Sequence, residues 1–305
     1  MSGLRARAGE YLAMRRALGF KLKSQGPRLM SFVRFCEDRG TDRVTSDLAV
    51  EWATQSSGDE VNQARRLDVV RIFARHLQAL DPATEVPPDD ILSRRYRRIP
   101  PYLYSPEEVA ALMRAAGGLR PAMRAAAWQA LIGLLAVTGI RPGEACRLAR
   151  GDVDLEAGTI VIADSKFGKS RLVFLRPTAV TALRGYARAR DEAFPEAAAF
   201  LVNSRGRPLR GTYLPHVFAP LAEAAGIQAA PGQRAPRLHD LRHVFAVATL
   251  LDWYRDGGDV QARLPVLSTW LGHVDPKSTY WYLQAVPELL ALAAGRLEPA
   301  GEEAR

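Results

Sequence analysis

GTIVIADSKFGKSRLVFL, residues 158–175, is the stretch on which the fold of this chain turns. Two β-branched runs flank a polar turn containing Gly168, the signature of a hairpin. The apolar spacing on either side of it is helical, so the sequence predicts a mainly α domain with a small antiparallel β-sheet (α+β).

Working upstream, SPEEVAALMRAA (105–116) opens a helix. Ser105 is a good N-cap, Pro106 suits the first helical position, and Glu107 and Glu108 favour the positive helix end. A second apolar helix is expected from about Met123 to Val137, and from about residue 177 onward the helical period returns. Residues 5 to 80 show helical spacing through Leu12, Leu18 and Phe20, then Leu29, Phe32, Val33 and Phe35, then Val50 and Trp52, then Leu67, Val69, Val70, Ile72, Phe73 and Leu77. About four short helices are expected there, with Thr45 or Ser46 as an N-cap. Between them and the second region lies DPATEVPPDDILSRRYRRIPPYLY (81–104), whose prolines at 82, 87, 88, 100 and 101 exclude a continuous helix. The expected organisation is a helical domain at 1–85, a Pro/Arg-rich linker at 86–104, a larger domain at 105–297 and a polar tail at 298–305.

A length of 305 residues fits about two domains, and 48% hydrophobic content is ample for packed cores. With 42 Lys+Arg against 33 Asp+Glu, the net charge of +9 favours a polyanionic partner. Arg94, Arg95, Arg97 and Arg98 in the linker are either a solvated charged stretch or a basic strap along phosphates. Two cysteines, Cys36 and Cys146, stand far apart without metal-ligand spacing, which reads as a reduced cytoplasmic protein. No signal-peptide core opens the chain, and no run approaches the roughly 18 apolar residues of a membrane span.

Five stretches bear phosphate chemistry: Arg141 in TGIRPGEACRL, Lys166 in SKFGKSRLVFL, His239 and Arg242 in LHDLRH, His273 in WLGH, and Tyr282 in STYWYL. Arginine's planar fork can hold two non-bridging phosphate oxygens at once. Lysine and histidine can protonate or hydrogen-bond the others, and a tyrosine can attack phosphorus. Tyrosine's reference pKa of about 10 means that it needs surrounding cations to do so near neutrality. Gly272 lets the backbone before His273 come close and re-aim that side chain.

This ordered set resembles the tyrosine recombinase (phage integrase) family over roughly residues 103 to 290. The resemblance implies a two-domain DNA clamp, with residues 1–85 as its N-terminal core-binding domain, and it favours the strap reading of the linker arginines. It implies that Arg141 and Arg242 hold the scissile phosphate, Lys166 protonates the leaving 5′-oxygen, and His273 donates to a non-bridging oxygen. Tyr282 is the implied nucleophile, nine residues after His273, and His239 could receive or relay its proton. Lys169 and Arg171 are expected to touch backbone phosphates. The implied reaction is site-specific recombination through a 3′-phosphotyrosyl intermediate, with double-stranded DNA as substrate and neither ATP, metal nor other cofactor required. A homotetramer on paired sites is implied, with or without other recombinases, acting in the cytoplasm at the nucleoid. The segment DWYRDGGDVQARLPVLST (252–269), with its turn at Asp256 to Asp259, is longer than in compact chromosome-dimer-resolving members and resembles integrases of mobile elements.

Alternatives within reach of the sequence are a chromosome- or plasmid-dimer resolvase, a type IB topoisomerase-like enzyme and a catalytically inactive DNA-binding regulator. A regulator would be expected to lack one of the six residues, and none is missing. His239 and His243 also have the i, i+4 spacing of two zinc ligands, but Asp240 stands where an HExxH motif has glutamate. The helix PELLALAAGRL (287–297) after Tyr282 either docks on a neighbouring protomer or closes its own core.

Overall fold

The computed structural model of the chain describes residues 3–56, 60–92, 100–163, 170–273, 275, 277–285 and 287–295. Two compact units divide it, Met1–Arg98 and Ile99–Arg305.

In the first unit, helices α1 (Gly3–Ala17), α2 (Gln25–Asp38), α3 (Ser46–Thr54) and α4 (Glu60–Gln78) follow the apolar periodicity. They bury Leu4, Leu29, Phe32, Trp52, Leu67 and Phe73 in one core. The Thr45 hydroxyl caps α3 by accepting from the Leu48 amide at 3.3 Å. Leu18 and Phe20 depart from the expected apolar face. They follow the end of α1 around a turn at Gly19 (φ +87°) and are 66% and 44% exposed. Ile72 is also exposed, because it falls out of phase with Leu67, Val70, Phe73, Ala74 and Leu77 on the inward side of α4. The start of the Pro-rich stretch is fastened to α4: buried Arg71 donates from Nε to the Pro87 carbonyl at 2.8 Å and from Nη2 to the Pro88 carbonyl at 2.6 Å.

The second unit opens with α5 (Pro106–Gly117), held by a complete capping box. The Ser105 hydroxyl accepts from the Glu108 amide at 3.2 Å, and the Glu108 carboxylate accepts from the Ser105 amide at 2.8 Å. Helix α6 (Ala122–Thr138) is apolar around most of its surface and runs through the main core with Leu131, Ile132, Leu134 and Leu135 buried. It ends at left-handed Gly139, and a single turn, α7 (Pro142–Ala145), follows.

Strands β1 (Val153–Asp154), β2 (Thr159–Ile162) and β3 (Arg171–Phe174) form an antiparallel sheet in the order β1-β2-β3. The expected hairpin is therefore present with an added strand, whose two residues are too few to show alternation. Ile160 pairs with Val173, and these face the core with Ile162, while Val161, Leu172 and Phe174 face outward.

Helices α8 (Pro177–Ala193), α9 (Leu214–Ala224), α10 (Asp240–Arg255), α11 (Val260–Leu271), α12 (Lys277–Ala285) and α13 (Pro287–Gly295) complete the unit. The turn expected at 256–259 separates α10 from α11, and the Asp259 carboxylate caps α11 by accepting from Ala262 N–H at 3.0 Å. A second core joins Leu250 of α10, Leu264, Leu267 and Leu271 of α11, Tyr282 of α12 and Leu289 of α13. Helix α13 thus closes its own chain's core, and Glu288 accepts from Arg255 of α10 at 2.8 Å. No described helix is long and apolar enough to cross a membrane.

Replacing Ser105 by Ala removes the acceptor for one helix-end amide and should destabilise the second unit by about 1 kcal/mol, read as a lowered denaturant midpoint.

Candidate active site

The C-terminal end of α11 is where the site is assembled. The last carbonyls of a helix have no partner within it and form the negative end of its dipole. Here the first of them are closed by the chain itself: left-handed Gly272 (φ +66°) donates to Thr269 O and His273 N–H donates to Ser268 O, each at 2.9 Å. The next three carbonyls each accept from an arginine. Arg171 Nε of β3 donates to Trp270 O at 2.8 Å, Arg242 Nη2 of α10 to Leu271 O at 2.7 Å, and Arg141 Nη2, just before α7, to Gly272 O at 2.9 Å. Arg242 also donates from Nη1 to Gly139 O at 2.8 Å, and Trp270 Nε1 donates to Thr138 O at 2.8 Å, so the end of α6 is tied to the end of α11.

Three guanidiniums this close need a counter-charge, and Glu144 supplies it. Its buried carboxylate accepts from Arg141 Nη1 and from Arg171 Nη2, both at 2.7 Å, and from the Arg141 amide at 3.0 Å. Burial alone would push this carboxyl up. The hydrogen bonds from Arg171 and Arg141 outweigh it and hold the group at about 2. Burial first, then the neighbouring Arg141, lowers Arg242 to about 10, which leaves it protonated at neutral pH. The expected contact of Arg171 with backbone phosphates is not what the geometry offers. Its side chain is only 8% exposed and its donors face Glu144 and Trp270 O, so it braces the site from behind.

His239 occupies the N-cap position of α10, and Arg242 lies one turn further on. The two were expected to share a helical face; instead His239 stands just outside the helix. Its ring meets that of His243 edge-on, with centroids 5.2 Å apart. Burial, then repulsion from Arg242 and the other nearby arginines, lowers His239 to about 4; burial, then His239 and nearby arginines, lowers His243 to about 3. Both rings are neutral at pH 7.

His273 directly follows the arginine-bound carbonyls. Its Nδ1 lies 2.7 Å from the hydroxyl of buried Thr279, which fixes the ring, and the ring stacks at 6.3 Å and 21° on Tyr282. Tyr282 is 2% exposed and its hydroxyl is 3.1 Å from His243 Nδ1, whereas Tyr280 is 48% exposed. The spacing-based choice of Tyr282 over Tyr280 therefore matches the one tyrosine of this pair that points into the cluster.

The structure brings Arg141, His239, Arg242, His273 and Tyr282 together. Lys166, Lys169, Arg94, Arg95, Arg97 and Arg98 lie outside the described residues. Read from the sequence, Glu144 and Thr279 had no part in the site and His243 was set aside. Each carried a faint signal: Glu144 is three residues after Arg141, His243 is one turn from His239, and Thr279 precedes Tyr282 by three.

Residues 103–288 match the phage integrase family, a span of more than half the chain. The chain belongs to that family. It is 40% identical to "Putative integrase/recombinase y4rB" of Sinorhizobium fredii over 99% of each protein. It is 32% identical to the tyrosine recombinase XerD of Rhizobium meliloti, over 80% of this chain and 76% of that one. Among solved structures, the Tn1549 transposon integrase in complex with transposon right end DNA superimposes with a TM-score of 0.66 at 16% identity, over 96% of this chain and 99% of that chain. This phage integrase family member is a site-specific recombinase, an enzyme that acts in DNA recombination.

Two outcomes follow from the geometry. A Cβ on Gly272 would stand 2.7 Å from Arg171 Nη1 in a left-handed backbone, so Gly272→Ala should cost about 1 kcal/mol or more of stability in a denaturant titration. The histidines titrate near 6.5 when unfolded but at about 4 and about 3 when folded, so the unfolded chain binds more protons in between. Stability is therefore complete above about pH 6.5 and falls below it. Glu144, at about 2 against 4.5 unfolded, adds a further loss on the order of 3 kcal/mol as the pH falls below 4.5. Glu144→Gln should abolish only that lower limb in pH-dependent melting, while lowering stability at neutral pH.

Proposed function

We propose that the five clustered residues, with Lys166, are the catalytic set for DNA strand exchange. Tyr282 attacks the scissile phosphorus and gives up its phenolic proton to His239, directly or by relay; a 3′-phosphotyrosyl bond forms as the bond to the 5′-oxygen breaks, and that oxygen leaves as a hydroxyl with a proton supplied by Lys166. Reversal by a 5′-hydroxyl from the partner duplex rejoins the strand and frees the tyrosine. Arg141 and Arg242 neutralise the charge that accumulates at phosphorus, and His273 donates to a non-bridging oxygen. His239 stands beside the arginines, where it can take part in proton movement.

The observation that supports this most directly is the convergence of Arg141 and Arg242 on consecutive carbonyls, Leu271 and Gly272, immediately before His273 and against the ring of Tyr282. Groups 101 residues apart in sequence are thereby brought to one helix end, beside His273 and Tyr282.

Each exchange cuts four strands, and each protomer offers one nucleophile, so four copies of this chain on two duplexes are the assembly the chemistry calls for. The turn at Asp256 to Asp259 and the likeness to the Sinorhizobium protein support a mobile-element integrase. The similarity to XerD supports the second reading, a dimer resolvase. Lys169 and the linker arginines are proposed phosphate contacts in either case, and the bacterial nucleoid is the proposed place of action.

Suicide duplexes tiled across the DNA that flanks the gene, incubated with the protein in chelator, should yield a denaturant-stable protein–DNA adduct. Tyr282→Phe should yield none, and Arg141→Ala should slow adduct formation by about 100-fold or more. Duplex binding without an adduct from the unaltered protein would remove the catalytic reading and leave a DNA-binding regulator.

A further inference from the structure

The hydroxyl of Tyr282 is held by a residue outside the six. His243 sits on α10, one turn after His239, and its Nδ1 is 3.1 Å from the Tyr282 hydroxyl. Its ring also packs against Trp281 at 5.6 Å and against Tyr282 at 5.4 Å, both on α12. The opposite nitrogen, Nε2, lies 3.9 Å from Oδ1 of fully buried Asp240. That separation exceeds a hydrogen bond, yet a carboxylate there favours the tautomer with its proton on Nε2. Arg237 holds Asp240 in place from the other side, donating from Nη2 to Oδ1 at 2.7 Å and from its amide to Oδ2 at 2.9 Å.

The ionisable groups around His243 are Asp240, Arg237, His239 and Arg242 from α10 and the segment before it, and His273 and Tyr282 from the elements packed against it. Burial first, then repulsion from the cations among them, keeps the imidazole neutral, and a neutral ring with its proton on Nε2 presents a lone pair at Nδ1. The phenolic O–H is then the donor.

We propose that His243 is a positioning residue for the nucleophile, its Nδ1 accepting the Tyr282 hydroxyl hydrogen and so fixing the direction in which the phenolic oxygen faces the phosphate. The assignment rests on Tyr282 being the nucleophile. It separates two histidines one turn apart: His239 borders the arginines that would hold the phosphate, and His243 borders the attacking oxygen. Asp240 lies on the Nε2 side of His243 and Tyr282 on its Nδ1 side, the order in which a carboxylate biases an imidazole tautomer and the imidazole orients a hydroxyl nucleophile.

Two measurements on the full chain decide the matter. In the first, long-range proton–nitrogen NMR of the DNA-free protein, with only five histidines to assign, should show His243 in the Nε2–H form. Tyr282→Phe should shift its Nδ1 resonance, and an unmoved resonance would overturn the proposal. In the second, single-turnover adduct formation on the tiled suicide duplexes should be about 10- to 100-fold slower for His243→Leu, with duplex affinity unchanged. His243→Asn, which keeps an acceptor near the Nδ1 position, should recover much of the rate. Wild-type cleavage by the Leu variant, or an Asn variant that folds but is no faster than Leu, would overturn it. If the Leu variant does not fold, the comparison of Asn with wild type and the NMR shift decide. Absence of an adduct from the wild-type protein itself would instead count against the nucleophile assignment, while the NMR shift would still settle whether the hydrogen bond exists.

Discussion

The carbonyls at the C-terminal end of α11 are the feature on which the site depends. Five successive acceptors, from Ser268 to Gly272, are satisfied in two ways: the first two by the backbone cap at Gly272 and His273, the last three by Arg171, Arg242 and Arg141. A helix end left open in a protein interior would cost several unsatisfied acceptors. Closing it with guanidiniums rather than with a second cap turns a folding requirement into a cationic cluster. The same bonds that finish the helix place two of the proposed phosphate-binding arginines and, through His273, the residue next to them.

That arrangement also explains why the site is built from elements far apart in the chain. Arg141 follows α6, Arg171 lies on the sheet, Arg242 is on α10, and the acceptors are on α11. The small sheet matters because β3 delivers Arg171 to Glu144 and Trp270, and its outward Phe174 stacks on Trp270 at 6.3 Å. Trp270 in turn stacks on Phe245 of α10 at 6.3 Å and 16°. Displacing any one of these elements moves an arginine, so packing and electrostatics are set by a common group of contacts.

The sequence disclosed the parts of this that are local. Apolar periodicity places nearly all of the helices, the Ser105 capping box is legible from its residue types and spacing, and the β-branched runs on either side of Gly168 announce the paired strands. Leu18 and Phe20 were misleading because they lie past the end of α1, around the Gly19 turn, and Ile72 because an apolar residue one position out of phase looks the same in a list as one in phase. The catalytic candidates were legible through their order and spacing, and the structure adds the convergence of the five that lie among the described residues. What could not be read is whatever depends on pairs distant in sequence: the role of Glu144 as counter-ion to Arg171 across 27 positions, and the meeting of His243 with Tyr282 across 39. Arg171 illustrates the same limit. The resemblance implied a phosphate contact, and only tertiary packing shows that it faces inward, to Glu144 and Trp270 O.

The charge balance of the cluster bears directly on its chemistry. Arg141 and Arg171 share one carboxylate, Glu144, with Arg242 close by, and burial first, then repulsion from the nearby arginines, keeps His239 and His243 neutral. Adding a further proton there costs both desolvation and repulsion. A phosphodiester, the substrate that the proposed function calls for, would relieve the repulsion on both rings, and the pentacoordinate state, with one more negative charge, would relieve it further. On the proposed function, histidines that are neutral in the DNA-free protein would become better proton holders as charge builds at phosphorus.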